Sequence, residues 1–248
     1  MSSTKPTLLF IPGAWHKSSC YTPVIQKLND QGYETATAEL ASVGANPGLQ
    51  TWADDVTNIQ SVLAPLVDAG KRVIIIAHSY SSLPAGEAIK SYLLREREAA
   101  GKTGGVVHFV YISAFIIPPA TSLMDALGGV DLPWFIVSPS KLEVQPADPA
   151  TIFYNDLPKD VQEEQIARLA VFSYQMYFQK TTWAPWMEVA ATYVFCSRDN
   201  AIPLQVQEGM VKGAGGTFRE VRVEAGHSPF LSRVDEVVGA IVGAAESG

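Results

Sequence analysis

Apolar residues along this chain fall into two alternating kinds of run. Short β-branched or aromatic runs occur at Thr7–Ile11, Glu34–Leu40, Arg72–Ala77, Val106–Ala114, Thr192–Cys196 and Thr217–Val223. Several are continuously apolar, Val73-Ile74-Ile75-Ile76-Ala77 most clearly, which suits strands buried on both faces of a parallel sheet. Between them lie stretches with helical spacing at Tyr21–Gln31, Thr51–Val67, Ser82–Ala99, Leu204–Val211 and Val234–Ala245. Thr51, followed three residues later by Asp54, reads as a capping pair at the start of the second. Strand and crossover in alternation predict an α/β fold: a mostly parallel six-stranded sheet flanked by helices.

The rhythm breaks between residues 115 and 186, where eight prolines punctuate a stretch without a convincing central strand. A structureless loop of that length is abnormal, so it is expected to be an inserted helical cap. The α/β core is then residues 1–114 and 187–248. Within the insert Pro158–Lys180 reads as helix, with Val161, Ile166, Leu169, Ala170 and Phe172 on a helical spacing. The insert holds 11 of the 24 aromatics, so several should face whatever cleft it covers. Trp134, Tyr177 and Trp183 are the ones expected there.

Composition narrows the classes. With 47% hydrophobic and 17% charged residues the chain is not disordered. A net charge of −7 with no cluster of Lys and Arg excludes a nucleic-acid footprint and disfavours anionic membranes. The longest apolar stretch, Val106 to Ala120, is too short to span a bilayer, and Met1 to Pro6 runs straight into a strand-like segment, so no secretory signal is expected. A cytoplasmic location is expected. Cys20 and Cys196 lack Cys-x-x-Cys spacing and read as buried hydrophobes.

Four short segments carry chemistry. The apolar run ending at Ala77 meets His78-Ser79-Tyr80-Ser81-Ser82 just before a helical pattern. That is the setting of a nucleophile elbow, a serine on a strained strand-to-helix turn with small residues two positions either side. Glycine is usual there; Ala77 and Ser81 match by size. The first strand runs into Pro12-Gly13-Ala14-Trp15-His16, a turn able to point N–H groups into a cleft. Acyl transfer needs two such donors where the oxyanion develops, and they are assigned to the backbone N–H groups of Ala14 and Tyr80. Asp199 follows a late strand, with Pro203 opening the next helix. His227 follows the last strand on a Gly226-led loop. Of the other histidines, His108 lies inside a strand, His78 is turned away by the elbow, and His16, with Trp15, is placed to touch substrate. The order Ser79, Asp199, His227 is the one expected of such a triad.

On Gly13-Ala14-Trp15-His16, His78-Ser79-Tyr80, the Asp199 to Pro203 spacing and Gly226-His227, the chain resembles the α/β-hydrolase superfamily along nearly its whole length. It is most similar to the small branch of plant methylesterases, hydroxynitrile lyases and microbial esterases. Pro12 stands where many relatives carry histidine. Ser228 stands where the lyases carry lysine, which disfavours cyanohydrin lysis. The resemblance implies a serine hydrolase acting on a small-to-medium apolar or aromatic carboxylic ester or lactone, with no metal or organic cofactor. The expected partner is a small-molecule substrate; oligomeric state, a homodimer included, stays open. The alternatives are a lyase, cyclase or dehydratase on the same scaffold, or a ligand receptor.

Overall fold

The computed structural model describes residues 5–247. In its first half β1 (Thr7–Ile11), β2 (Thr35–Thr37), β3 (Arg72–His78) and β4 (Gly105–Ile112) alternate with helices. These are α1 (Thr22–Asp30), α2 (Ala53–Asp68), α3 (Ser82–Ile89) and α4 (Leu94–Ala99). The next stretch contributes α5 (Leu123–Ala126), β5 (Phe135–Val137), β6 (Glu143–Pro146), α6 (Pro149–Phe153), α7 (Lys159–Ile166) and β7 (Phe172–Ser173). The chain closes with β8 (Ala190–Cys196), α8 (Leu204–Gly213), β9 (Phe218–Val223), α9 (Pro229–Ser232) and α10 (Val234–Glu246). One sheet has the order β2-β1-β3-β4-β8-β9 with every neighbour parallel. It is the six-stranded, helix-flanked sheet that the apolar runs predict.

Strand alternation divides the core between the two faces of this sheet. Leu9, Ile11, Val73, Ile75 and Ala77 pack with Ile59 and Leu63 of α2 and Ala85 and Ile89 of α3. Leu8, Phe10, Ile74 and Ile76 point the other way, against Val24 and Leu28 of α1 and Val237 and Ile241 of α10. Both faces are covered, which is why β3 reads as an unbroken apolar run. Each of the Val, Leu, Ile and Phe side chains contributes about 1.5–3 kcal/mol by leaving water. The effect is to fix the C-terminal ends of β3, β4, β8 and β9 side by side, and the candidate chemistry sits on that edge.

Four local expectations are corrected. Ser82–Ala99 is two helices, because Leu93 leaves the helical path to pair with Val106 and the Val106 N–H bonds to the Tyr92 carbonyl. Regular pairing of β2 covers only Thr35–Thr37 of Glu34–Leu40. The Thr51–Asp54 capping pair does not form: α2 begins after Trp52, whose side chain makes no cap bond. Pro158–Lys180 is α-helical only over α7, with a short 3₁₀ helix at Tyr174–Phe178. Beyond α7 the Ala170 N–H bonds to the Trp15 carbonyl and Phe172–Ser173 pairs with β6, so tertiary pairing overrides the helical spacing. The insert is accordingly mixed, with the three-stranded antiparallel sheet β5-β6-β7 beside short helices. Among the described residues no helix is long and apolar enough to cross a membrane.

Candidate active site

Ser79 occupies the turn between β3 and α3 with φ of 55°, a left-handed conformation uncommon outside glycine. Two hydroxyls brace the turn. Ser81 Oγ accepts from the His78 N–H at 3.0 Å and lies 2.8 Å from the Ile11 carbonyl, tying the elbow to the end of β1. Ser82 Oγ donates toward the carbonyls of Ser79 (3.0 Å) and Phe115 (2.8 Å). Serine therefore does more at position 81 than spare a clash. Strain of this kind costs about 1–3 kcal/mol per residue and persists only where the surroundings enforce it.

The loop after β1 lies directly on that elbow. A Cβ on Gly13 would stand 2.8 Å from His78 Nδ1 and 3.1 Å from Ser79 Cβ, so only glycine permits the approach. Ala14 and Tyr80 both line the cavity that holds Ser79. Tyr80 stands at the start of the helical turn, where N–H groups lack intrahelical acceptors. Trp15 has φ of 65° and is held through its indole N–H to the Val144 carbonyl at 2.8 Å. The loop is thus positioned as much by the insert as by the sheet.

Asp199 and His227 form a buried pair, Oδ2 to Nδ1, at 2.8 Å. Asp199 Oδ1 accepts the N–H groups of Ala201 (2.7 Å) and Ile202 (2.8 Å), which fixes the carboxylate plane. Ser113 Oγ donates to Oδ2, with Gln207 Nε2 at 3.4 Å from the same oxygen. The two loops are zipped together, Ser197 N–H to Val223 carbonyl and Arg198 N–H to Ala225 carbonyl. With Nδ1 committed to Asp199, Nε2 is the nitrogen of His227 left for chemistry. His78 backs the ring at a centroid distance of 4.5 Å and donates Nε2–H to the His227 carbonyl at 2.8 Å. Burial, with His227 and His16 nearby, holds the His78 pKa well below the usual imidazole value, so this brace is neutral.

Ser79 and His227 open onto one cavity. Its walls are aromatic: Trp15 lies 5.7 Å from Trp134 and 5.4 Å from Phe153, and Phe135 stacks on Tyr177 at 5.1 Å. Of the side chains expected to meet substrate, Trp15, Trp134 and Tyr177 line this cavity, and two do not. His16 is buried beneath it: Nδ1–H bonds to the Ala14 carbonyl at 2.8 Å, and Nε2 accepts from the Tyr154 hydroxyl at 2.9 Å. Burial lowers the His16 pKa to about 4, as an acceptor nitrogen requires. Trp183 lies behind the elbow, its indole N–H on the Gly86 carbonyl at 3.0 Å. His108 is a core residue bonded to Thr192 Oγ1. Cys20 and Cys196 are buried thiols. Ser113, Gln207, His78 and Tyr154 were not legible as site residues. Only Ser113 carries a signal, a small polar residue just past a central strand.

Residues 8–240 match the model of the Alpha/beta hydrolase family. The chain belongs to the α/β-hydrolase family. Among curated α/β-hydrolases it is 30% identical to the alpha/beta hydrolase nvfD of Aspergillus novofumigatus, over 97% of both chains. Polyneuridine aldehyde esterase superposes with a TM-score of 0.76 at 16% identity, covering 97% of this chain and 99% of that one. The methylesterase MES16 from Arabidopsis gives 0.77 at 14% identity, over 98% and 100%. At such identities these two structures speak for the α/β-hydrolase fold.

Proposed function

We propose that the protein is a serine hydrolase of small-to-medium apolar or aromatic carboxylic esters or lactones. The observation that carries this reading is the strained Ser79, facing the same apolar cavity as a histidine whose other nitrogen is bonded to a buried carboxylate. Ser79 Oγ attacks the substrate carbonyl while His227 Nε2 takes its proton. Asp199 holds the imidazole tautomer and stabilises the imidazolium. The backbone N–H groups of Ala14 and Tyr80 receive the oxyanion. His227 returns the proton to the departing alcohol, then activates water against the acyl-enzyme. The aromatic wall sets the substrate class, since it offers area for apolar groups and few polar partners. Esterase names among structural neighbours and curated relatives support an ester over an amide. A panel of chromogenic esters and lactones tests it: wild type should turn over apolar members and Ser79→Ala should not. Equal turnover by both proteins overturns it.

A further inference from the structure

Between α6 and α7 the insert carries three consecutive residues, Tyr154-Asn155-Asp156, and each meets a different loop of the candidate site. The Tyr154 hydroxyl bonds to His16 Nε2 at 2.9 Å, on the loop after β1. Asn155 Nδ2 donates to the Arg198 carbonyl at 2.9 Å, one residue before Asp199. Asp156 Oδ2 accepts the Gly226 N–H at 2.8 Å, one residue before His227. The segment is itself knit to its surroundings. The Tyr154 N–H bonds to the Ala150 carbonyl at 3.2 Å, and Gln162 Nε2 of α7 donates to the carbonyls of Tyr154 (2.9 Å) and Leu157 (3.1 Å). Asn200 Nδ2 on the Thr151 carbonyl, at 2.8 Å, adds a second bond from α6 to the acid-bearing loop.

The Tyr154 contact reaches furthest toward the reacting atoms. Gly13 to His16 form a tight turn, closed by the His16 N–H on the Gly13 carbonyl at 3.2 Å. Trp15 takes its third position with φ of 65°, as a type II turn requires, although glycine is usual there. In a type I turn the peptide between Ala14 and Trp15 would be flipped over, with the Ala14 carbonyl pointing the other way. His16 Nδ1 holds that carbonyl at 2.8 Å. A carbonyl can only accept, so Nδ1 carries the proton, Nε2 accepts, and the Tyr154 hydroxyl is the donor. His16 is 3% exposed and Tyr154 1%, so water does not stand in for either partner. Among the described residues no backbone carbonyl takes the Ala14 N–H.

We propose that Tyr154-Asn155-Asp156 is a positioning element for catalysis: it docks the insert on all three loops, and through His16 it holds Ala14 by its carbonyl with the N–H left for the oxyanion. This rests on Ser79 as the acyl-forming residue. None of the three side chains lines the Ser79 cavity, so each acts through the loop it holds.

Tyr154→Phe removes one oxygen and keeps the ring. With a small ester its kcat should fall about tenfold at unchanged KM, the signature of a contact felt only in the transition state. A trifluoromethyl ketone reads the oxyanion directly: Ser79 Oγ adds to its carbonyl carbon, the proton passes to His227 and the ketone oxygen becomes the anion. It should bind this variant about tenfold more weakly, while the plain methyl ketone of the same chain binds as before. Asp156→Ala should lower kcat likewise, and Asp156→Asn, whose amide oxygen can still accept the Gly226 N–H, should restore most of it. Nitrogen-15 spectra of the wild type should show His16 protonated on Nδ1, a readout that needs no substrate. A proton on Nε2, unchanged kcat in folded Tyr154→Phe, an equal loss for both ketones, or no difference between Asp156→Ala and Asp156→Asn overturns the proposal. Fluorophosphonate labelling of wild type separates the two failures: a labelled Ser79 with Tyr154→Phe unaffected removes the positioning role alone, and an unlabelled Ser79 removes the hydrolase reading beneath it.

Discussion

Ser113 Oγ and His227 Nδ1 donate to the same oxygen of Asp199, so the hydroxyl shares the atom on which the candidate base is oriented. Ser113 reaches it from the end of β4 with φ of 38°, a third left-handed residue beside Trp15 and Ser79 at the sheet edge. A bond to a charged acceptor contributes about 1.5–3 kcal/mol. Ser113→Ala should therefore lower kcat by roughly 10–100-fold through a misoriented carboxylate. Steady-state kinetics at saturating ester checks it; unchanged kcat would separate Ser113 from the mechanism.

Replacing the acid itself should cost far more. Asp199→Asn keeps the size and the acceptors for the Ala201 and Ile202 N–H groups but loses tautomer control, and turnover should fall by about 10⁴-fold. Near-normal turnover in a folded variant would transfer the role to another acid.

Gly226 is where the insert touches the base-bearing loop. Its N–H donates to Asp156 Oδ2 at 2.8 Å, and a Cβ there would stand 2.1 Å from Asn155 Oδ1. Asn155 also donates to the Arg198 carbonyl, beside Asp199. Gly226→Ala should displace these contacts and cut kcat about 10²-fold, the usual consequence of misplacing a catalytic group by about 1 Å. Circular dichroism with kinetics separates this from unfolding; a folded variant of normal kcat contradicts it.

Trp134 and Tyr177 line the Ser79 cavity and should set ester-size preference. Truncating either to Ala should shift the ratio of kcat/KM for bulky against small esters by an amount worth about 1–3 kcal/mol. Activity lost uniformly across ester sizes, in step with Tm, would assign them to packing alone.

Acid stability should report opposed buried groups, His16 and Asp55 among them. The His16 pKa is lowered to about 4, below the 6.5 of a free imidazole, so the unfolded chain takes up that proton first. Stability is then lost as pH falls between about 6.5 and about 4. Asp55 has its pKa raised by burial from 3.8 to about 6, against hydrogen bonds from Ser42. Here the folded state takes up the proton first, so acidification through that window adds stability, by up to about 3 kcal/mol. Asp55→Asn removes this gain, and its unfolding free energy should fall more steeply from pH 7 to pH 4.5 than that of wild type. Parallel profiles in urea titrations would contradict the assignment.

What could be read from the chain followed the range of the interactions. The run Val73 to Ala77 announces a buried strand by itself, and His78-Ser79-Tyr80 between it and a helix announces an elbow, because each needs only neighbours in sequence. The insert could not be read that way. Phe172 sits on a helical spacing after α7 but pairs with β6, a partner far off in sequence. Trp183 is as aromatic as Trp134 yet falls behind the elbow, since the Gly86 carbonyl captures its indole. His16 sits beside Trp15 on the oxyanion-side loop, but Tyr154 of the insert closes over it.

Ser79 as the acyl-forming residue is the assignment from which the rest of the chemistry follows. Treatment of the folded protein with a fluorophosphonate, followed by mass mapping of the labelled peptide, tests it most directly. The expected result is a single adduct on Ser79, abolished in Ser79→Ala. An adduct on a different serine, or none on folded protein, contradicts it.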